Sequence, residues 1–256
     1  MTAFPNVFSL EGRTALVTGG SKGLGKAMAR GLAAAGADVM ISSRHEAELQ
    51  SALGDILAGT GRRGFVRIAD MTKRDDVKQL ADEAVAKLGK VDILVNNAGS
   101  NTPQPIDGVT DEVWDNIIEL NLTSVMALTR ALVPGMKERR WGRVIHISSM
   151  MGFIAKERRN VYCATKAALL GMCRASALEL GPFGVTVNCI APGPFLTDLP
   201  MSVLSQAERD EWSKVTAVGR WGDPKELIGP VLLLASDAGS YITGQAILVD
   251  GGFTVR

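Results

Sequence analysis

The chain has 256 residues, of which 46% are hydrophobic and 21% charged, and its formal net charge is +1. This composition fits one globular domain with a large core, and the balanced charge gives no reason to expect nucleic acid or an anionic membrane as a partner. Three cysteines without a C-x-x-C pair and two histidines predict no metal site. The start lacks a signal-peptide pattern and no apolar run spans a bilayer, so we expect a cytoplasmic protein.

Short apolar runs alternate with segments of helical period along the chain. The runs are rich in Val and Ile and nearly continuous in hydrophobicity, which is typical of strands buried on both faces. In chain order they lie at 14–18, 38–42, 65–69, 92–96, 143–148, 185–190 and 246–250. Helical segments lie between them, for example at 22–36, 75–89 and 224–236. The alternation predicts βαβ units, a parallel sheet and helices on both faces, in one α/β domain spanning 1–256.

One stretch interrupts this alternation. Residues 194–222 form a long excursion between the sixth and seventh predicted strands. Long excursions at strand ends are often lids or substrate loops, so we predict that this segment contacts the substrate.

The first strand runs into the glycine-rich turn T-G-G-S-K-G-L-G. Glycines at this point let the backbone turn sharply and let a pyrophosphate approach the N-terminus of the following helix. The spacing departs from G-x-G-x-x-G, and a glycine-rich turn without a ligand is the alternative. We predict a dinucleotide-binding turn made of Gly19, Ser21, Lys22, Gly23, Leu24 and Gly25.

The end of the second strand indicates which dinucleotide binds. A carboxylate there would hydrogen-bond the ribose 2′-hydroxyl of NAD, but the chain has Ser43 followed by Arg44. A guanidinium favours a 2′-phosphate, and Lys22 adds a second positive charge. We therefore predict NADP(H), with NAD as the alternative cofactor and solvated surface cations as the alternative interpretation. Asp70 and Met71 follow the third strand and are candidates for the adenine, although Asp70 could instead be a turn residue.

Further polar motifs follow the later strands. They are N-N-A-G at 96–99, E-L-N-L-T-S with Asn121, H-I-S-S-M with Ser149, and Y-C-A-T-K from Tyr162 to Lys166. The glycine-rich turn, P-G-P at 192–194 and V-D-G-G at 249–252 complete the set. In the order and spacing of these motifs, over essentially the whole chain, the sequence resembles the short-chain dehydrogenase/reductase family.

The resemblance implies a Rossmann-like, doubly wound, seven-stranded sheet and nicotinamide-dependent hydride transfer between a carbonyl and an alcohol. It also implies a homotetramer and a catalytic set of Asn121, Ser149, Tyr162 and Lys166, with Lys166 binding the nicotinamide ribose. Other cofactor contacts are expected from Asn97, Ala98 and Gly99 after the fourth strand, and from Pro192, Gly193 and Thr197 after the sixth. A nucleotide-binding protein without catalysis would not need all four catalytic residues together.

Tyr162 is the expected acid–base residue. An unperturbed tyrosine has a pKa of about 10, and a cation within ~4–6 Å lowers the pKa of an acid by about 1–3 units. Because residues i and i+4 share a helix face, Lys166 is expected to lower the pKa of Tyr162. Ser149, rather than its neighbour Ser148, would hydrogen-bond the substrate oxygen, and Asn121 would complete a proton relay through water.

The substrate is indicated less directly. Six apolar residues are expected to line the substrate pocket, namely Met150, Met151, Phe153, Phe195, Leu196 and Leu199. The run K-E-R-R at 156–159 would attract an acidic substrate, such as a sugar acid, or an acidic carrier protein, unless it is only a solvated loop. The segment 219–229 is similar to gluconate 5-dehydrogenase-like members, and much of the remainder to 3-oxoacyl-carrier-protein reductases. We favour the sugar acid as substrate.

Overall fold

The computed structural model describes residues 6–197 and 205–255. Its seven parallel strands are β1 (Thr14–Thr18), β2 (Asp38–Ser43), β3 (Gly64–Ile68), β4 (Ile93–Asn96), β5 (Gly142–Ile147), β6 (Val185–Pro192) and β7 (Ala246–Val249). They form one sheet with the order β3-β2-β1-β4-β5-β6-β7. The predicted doubly wound α/β fold is confirmed, because each apolar run forms a strand within two residues of its expected bounds.

Helices cover both faces of the sheet. They are α1 (Gly23–Ala34), α2 (Glu46–Leu57), α3 (Arg74–Leu88), α4 (Asp111–Ile118), α5 (Ser124–Arg139), α6 (Asn160–Leu180), α7 (Gln206–Val215) and α8 (Ile228–Ala235). The expected helix at 224–236 begins as a 3₁₀ turn at Pro224 and continues as α8. Sequence signals set several ends: α3 stops at Gly89, whose φ of +79° favours glycine, and α7 begins with a Ser205/Glu208 capping box.

Strand alternation divides the apolar side chains between two cores. Val17 and Ile41 point to the face covered by α1, α2 and α8, whereas Leu16 and Met40 point to the face covered by α3, α5 and α6. All four side chains are fully buried. Burying strands on both faces in this way fixes the register of the sheet, because a one-residue slip would exchange the two faces.

The strand order reverses beside β1. From β1 the chain adds β2 and β3 on one side, and then β4 to β7 on the other. The loops that leave β1 and β4 therefore diverge and open a crevice at the carboxyl ends of the strands, where open α/β sheets bind their ligands. The glycine-rich turn follows β1 and the N-N-A-G motif spans the end of β4, so both lie at this crevice.

One helical run is longer than the sequence leads one to expect. Residues 111–139 join α4, a π-helical turn at Glu119–Thr123 and α5 into 29 residues with a mean hydropathy of 1.3 in their most apolar window. By length and composition alone this run could cross a membrane, which differs from the expectation of no such segment. Leu128, Leu132 and Met136 of this run are buried in the second core, and a core helix passes the same test.

The excursion after β6 is closed at its base by backbone hydrogen bonds. Leu196 N donates to Gly222 O over 2.9 Å, and Gly222 N donates to Pro194 O over 2.9 Å. These contacts pair Phe195 with Gly222 and tie the two ends of the predicted 194–222 segment together. Its described residues include α7, which packs Trp212 against Trp221 and Phe253.

Candidate active site

The glycine-rich turn has the shape of a phosphate cradle. Gly19 has a φ of +65°, and a Cβ built on Gly25 would overlap the Gly19 carbonyl oxygen and lie 2.5 Å from Asn97 Nδ2. No side chain caps the N-terminus of α1, which begins at Gly23. The first N–H groups of this helix are therefore available to an anion, and the residues fit the pyrophosphate of a dinucleotide.

Two side chains fasten this turn to the end of β4. Thr18 Oγ1 accepts hydrogen bonds of 3.0 Å from the backbone N–H groups of Asn97 and Ala98. Asn97 Nδ2 in turn donates to the carbonyl oxygens of Thr18 (2.9 Å) and Gly19 (3.1 Å). The Asn97 side chain thus holds the turn, and a cofactor contact at this position would come from its backbone.

The two cations expected at a 2′-phosphate are accessible to solvent. Arg44 is exposed, and the Lys22 side chain is 62% exposed. Both have an acidic neighbour: Lys22 Nζ lies 3.8 Å from Glu48 Oε2, and the charge of Arg44 acts on Asp70. Ser21 Oγ donates to the same Glu48 oxygen over 3.3 Å.

Asp70 is a turn residue in this structure. Its Oδ1 accepts hydrogen bonds from Thr72 N (3.0 Å) and Thr72 Oγ1 (2.8 Å). Burial raises the pKa of Asp70, but the Thr72 hydrogen bonds and the charges of Arg44 and Lys73 outweigh it and hold that pKa below its usual value. The adjacent Met71 is buried in the core. The alternative interpretation of Asp70 as a turn residue therefore describes its geometry, and an adenine contact stays a prediction.

Ser149 and Tyr162 meet where β5 ends. Ser149 caps a short 3₁₀ turn by accepting from Met151 N over 3.1 Å, and its hydroxyl acts to lower the pKa of the Tyr162 hydroxyl. Ser148 points elsewhere, since its Oγ donates to the Lys166 carbonyl oxygen over 2.8 Å. The two neighbouring serines separate as strand alternation predicts, and the one thirteen residues before Tyr162 faces it.

Lys166 and Asn121 converge on Gly99. A Cβ built on Gly99 would lie 3.1 Å from Asn121 Oδ1 and 3.5 Å from Lys166 Nζ. Lys166 Nζ donates to the Ile147 carbonyl oxygen over 2.8 Å and lies 5.6 Å from the centre of the Tyr162 ring. Asn121 is fully buried in the π-helical turn, and π-turns within helices are frequent at functional sites.

Asn121 is held in place by its own hydrogen bonds. Its Oδ1 accepts from Ser100 N over 2.9 Å, while its Nδ2 donates to Ser100 O (2.9 Å) and Thr165 Oγ1 (3.2 Å). Both ends of the side-chain amide are occupied, so the residue interrupts the helix and also fixes the loop after Gly99.

Burial shifts the two titratable groups of the pair in opposite directions. Burial raises the pKa of the Tyr162 hydroxyl, while its hydrogen bond with Ser149 and the charge of Arg159 act to lower it. Burial also lowers the pKa of Lys166 to about 8. The expectation that Lys166 lowers the pKa of Tyr162 is wrong in this structure, because removing the phenolate from water outweighs the attraction of nearby cations.

The residues after β6 border the crevice from the other side. Pro192 is the last residue of β6, and Gly193 N donates to Val249 O over 2.9 Å. Gly193 passes so close to Asp250 that a Cβ would lie 2.6 Å from its Cα. Thr197 reaches across to the glycine-rich turn, since its Cγ2 would lie 3.3 Å from a Cβ on Gly23.

The expected apolar lining of the pocket divides into two groups. Met150, Met151 and Phe195 are buried, so they support the site from the core. Phe153 and Leu196 are 48% and 44% exposed and are free to meet a substrate. Leu199, the sixth, lies outside the described residues.

Two polar groups near Tyr162 have no partner among the described residues. Arg159 precedes Tyr162 by three positions, is partly buried and forms no ion pair within 6–197 and 205–255. Gln104 pairs with it through a backbone bridge, with Gln104 N donating to Arg158 O over 3.0 Å. Gln104 Oε1 is a buried atom without a hydrogen-bond partner in that part of the chain.

A family model described as "Enoyl-(Acyl carrier protein) reductase" matches residues 19–254. The chain belongs to the short-chain dehydrogenase/reductase family. It is accordingly an oxidoreductase that acts on carbonyl or CH–OH groups. Members of the family with different names have similar sequence identities to this chain.

Gluconate 5-dehydrogenase of Gluconobacter oxydans (strain 621H) is 34% identical over 252 residues, covering 98% of each chain. The 3-oxoacyl-[acyl-carrier-protein] reductase FabG of Escherichia coli (strain K12) is 37% identical over 244 residues, covering 95% of this chain and 98% of the relative. Among solved structures, a gluconate 5-dehydrogenase from Burkholderia cenocepacia J2315 in complex with NADP and tartrate matches with a TM-score of 0.92. It is 34% identical, with 98% of both chains covered.

Several residues that shape this short-chain dehydrogenase/reductase site were missed by sequence reasoning. They are Thr18, Glu48, Gln104 and Thr165, whose side chains contact the predicted site residues or lie beside them. Thr18 is the first residue of T-G-G-S-K-G-L-G and Thr165 lies within Y-C-A-T-K, so these motifs could have indicated both residues. Glu48 and Gln104 carry no such signal, because their proximity arises only from how α2 and the 101–105 segment pack.

Proposed function

We propose that the protein is an NADP(H)-dependent oxidoreductase that interconverts a ketone and a secondary alcohol in a sugar acid. The observation that carries the substrate class is the unpaired Arg159, placed one helical turn before Tyr162. A partly buried guanidinium without a carboxylate partner in the described chain favours an acidic ligand in the crevice. The sugar-acid names of the Gluconobacter and Burkholderia relatives support the same class.

The crevice offers groups for each part of the cofactor. The turn from Gly19 to Gly25 would bind the pyrophosphate. The 2′-phosphate would be bound by Lys22, Ser43 and Arg44, and the adenine side by Asp70 and Met71. Backbone groups of Asn97 to Gly99, together with Lys166, Pro192, Gly193 and Thr197, would hold the nicotinamide half. When bound, NADPH supplies a hydride to the carbonyl carbon.

The chain's own residues handle the proton. Ser149 would donate a hydrogen bond to the carbonyl oxygen and hold it against Tyr162, whose hydroxyl gives its proton to that oxygen as the carbon is reduced. The Tyr162 hydroxyl is protonated at neutral pH, as an ordinary tyrosine is, and burial raises its pKa further, which suits reduction. Lys166 and Asn121 border Gly99 and would return a proton to Tyr162 through water.

Arg159 would bind the carboxylate of the substrate through its guanidinium. Gln104, joined to Arg159 by a backbone bridge, has a buried carbonyl oxygen without a partner in the described chain, and this acceptor suits a hydroxyl group of the sugar acid. Phe153 and Leu196 would cover the carbon chain.

A second candidate is reduction of a 3-oxoacyl group on a carrier protein. The exposed Arg158 beside Arg159 forms a basic rim that an acidic carrier protein would recognise. The name of the Escherichia coli relative is in keeping with that reaction.

The decisive experiment is a substrate panel. NADPH oxidation is followed with 2-oxo and 5-oxo sugar acids and with a 3-oxoacyl thioester. We expect the sugar acids to give the higher kcat/KM, and Arg159→Gln to raise the KM for them about tenfold or more because one charge-assisted contact is lost. Arg158→Gln is the matched control and should change KM little. A thioester preference that survives Arg159→Gln would overturn the sugar-acid assignment and leave the reductase intact.

Tyr162→Phe tests the acid–base role. The ring keeps its packing but loses the transferable proton, so we expect kcat to fall about 10²–10⁴-fold. Binding of NADPH, measured by the change in its fluorescence, should stay close to that of the wild type. Turnover near the normal rate would show that another group supplies the proton.

The remaining assignments are predictions. A homotetramer, a cytoplasmic location and a substrate-contacting role for 194–222 agree with the family and with the closed base of that segment. Size-exclusion chromatography with light scattering tests the first of them directly.

A further inference from the structure

The carboxylate of Glu48 contacts Lys22, one of the groups assigned above to the 2′-phosphate, and the neighbouring Ser21. Glu48 lies in the first turn of α2, outside every recognised motif. Its Oε2 accepts a hydrogen bond from Ser21 Oγ over 3.3 Å and lies 3.8 Å from Lys22 Nζ. One anionic oxygen thus contacts both a hydroxyl and an ammonium of the turn assigned above to the cofactor.

We propose that Glu48 is an internal competitor of the 2′-phosphate and thereby sets how strongly the protein distinguishes NADP(H) from NAD(H). This inference rests on the NADP(H) assignment of the proposed function. A 2′-phosphate carries a charge of about −1.5 to −2 near neutral pH, so it attracts Lys22 and repels the Glu48 carboxylate. When the phosphate binds, Lys22 exchanges one anion for another.

The competition acts on one part of the cofactor only. Glu48 makes its contacts at the rim of the crevice, on the α2 side, whereas Lys166 and Asn121 converge on Gly99 at the end of β4. The side chain is 44% exposed, so water and salt screen its charge and limit the effect. Removing the charge should therefore strengthen binding of 2′-phosphorylated nucleotides modestly and leave other nucleotides unaffected.

The chain provides a matched control for this test. Glu46 lies in the same first turn of α2, is exposed, and forms no hydrogen bond or ion pair with the described side chains of Ser21 or Lys22. Glu48→Gln and Glu46→Gln remove the same charge from the same helix end. Any effect of net charge or of helix stability is shared by the two variants, so the difference between them isolates the contact.

The experiment measures binding by calorimetry with two probes, adenosine 2′,5′-bisphosphate and adenosine 5′-monophosphate. An exposed charge pair corresponds to about a two- to fivefold change in affinity, so Glu48→Gln should bind the bisphosphate tighter by that factor. The monophosphate should bind unchanged, and Glu46→Gln should match the wild type with both probes. The gain should shrink at high ionic strength and in a Lys22→Gln background.

Two results would overturn the proposal. One is an unchanged or weaker affinity of Glu48→Gln for the bisphosphate: an unchanged affinity would mean that Glu48 does not compete, and a weaker one that Glu48 holds Ser21 and Lys22 ready for the phosphate. The other is an equal gain in Glu46→Gln or with the monophosphate. Arg44→Gln separates this outcome from failure of the cofactor assignment: if Arg44→Gln binds the bisphosphate as well as the wild type does, the NADP(H) site itself is misplaced.

Discussion

At the scale of single residues, burial shifts the pKa values of the two titratable groups of the candidate site in opposite directions. Burial raises the pKa of Tyr162 and lowers that of Lys166 to about 8. Since both shifts come from the same loss of water, closing the crevice further would strengthen both. The chemistry therefore depends on how dry the pocket is as much as on the distance between the two groups.

This shift predicts the pH dependence of reduction. Below about pH 8 Lys166 is charged and Tyr162 is protonated, so kcat/KM should be level from pH 6 to 7.5. Above that pH the ammonium loses its charge, which weakens the hydrogen bond that Lys166 would donate to the nicotinamide ribose, so kcat/KM should fall with a midpoint near 8. A pH profile with saturating NADPH measures this. A decline that begins only near pH 10 would show that Lys166 keeps the pKa of a solvated lysine.

The positions of several candidate site residues could be predicted from the sequence, whereas their environments could not. The spacing of thirteen positions selected Ser149 over Ser148, and the structure places Ser149 against Tyr162. The sign of the Tyr162 pKa shift was missed because i to i+4 spacing predicts the approach of a cation but says nothing about lost water. Desolvation depends on residues far apart in sequence, such as Ile147 and Gly99 around Lys166.

At the scale of elements, the crevice depends on how the end of β1 is joined to the end of β4. Four hydrogen bonds cross this junction, and all of them are donated by Asn97 and Ala98 after β4 to Thr18 and Gly19 at the end of β1. The opposite ends of the same strands are joined by Thr14, whose Oγ1 donates to Lys90 O over 2.7 Å and accepts from Asp92 N over 3.2 Å. Only the first junction borders the crevice.

Replacing each threonine by valine compares the two junctions. Thr18→Val leaves the buried N–H groups of Asn97 and Ala98 without an acceptor, so we expect a loss of unfolding free energy of about 2 kcal/mol or more. It should also weaken NADPH binding, because the loop after β4 loses its anchor, and Asn97 of that loop holds the glycine-rich turn. Thr14→Val should lower stability and leave the NADPH Kd unchanged. Urea unfolding and fluorescence titration measure both quantities, and equal effects on Kd would contradict a local role for Thr18.

Elements were predicted well because their signals are local. Continuous Val/Ile runs located every strand, and glycines marked the turn after β1. The π-turn at Asn121 was not predicted, because an extra residue in a helical turn leaves no trace in the apolar period. The contact of Glu48 with the glycine-rich turn was also missed, since it depends on the packing of α2 beside α1.

At the scale of the whole molecule, one buried histidine links the stability of the fold to pH. His146 lies on β5 in the centre of the sheet and is fully buried, with Asn96 Nδ2 3.1 Å from its Nδ1. Burial, and then the charge of Lys166, lowers the pKa of His146 from 6.5 to about 4. Between these two values the unfolded chain binds a proton that the folded protein does not, so the free energy of unfolding must fall as the pH falls.

The size of this effect follows from the two pKa values. At pH 7.5 neither state binds the proton, and at pH 5 the unfolded state alone does, which lowers the unfolding free energy by about 2 kcal/mol. The free energy of unfolding of His146→Asn, measured with urea, should therefore fall by about 2 kcal/mol less than that of the wild type over that pH range. His45→Asn is the matched control, because His45 is exposed ahead of α2, and it should keep the full pH dependence. If the free energy of unfolding falls as much in both variants as in the wild type, the acid sensitivity belongs to other groups, and the centre of the sheet tolerates a charged imidazole.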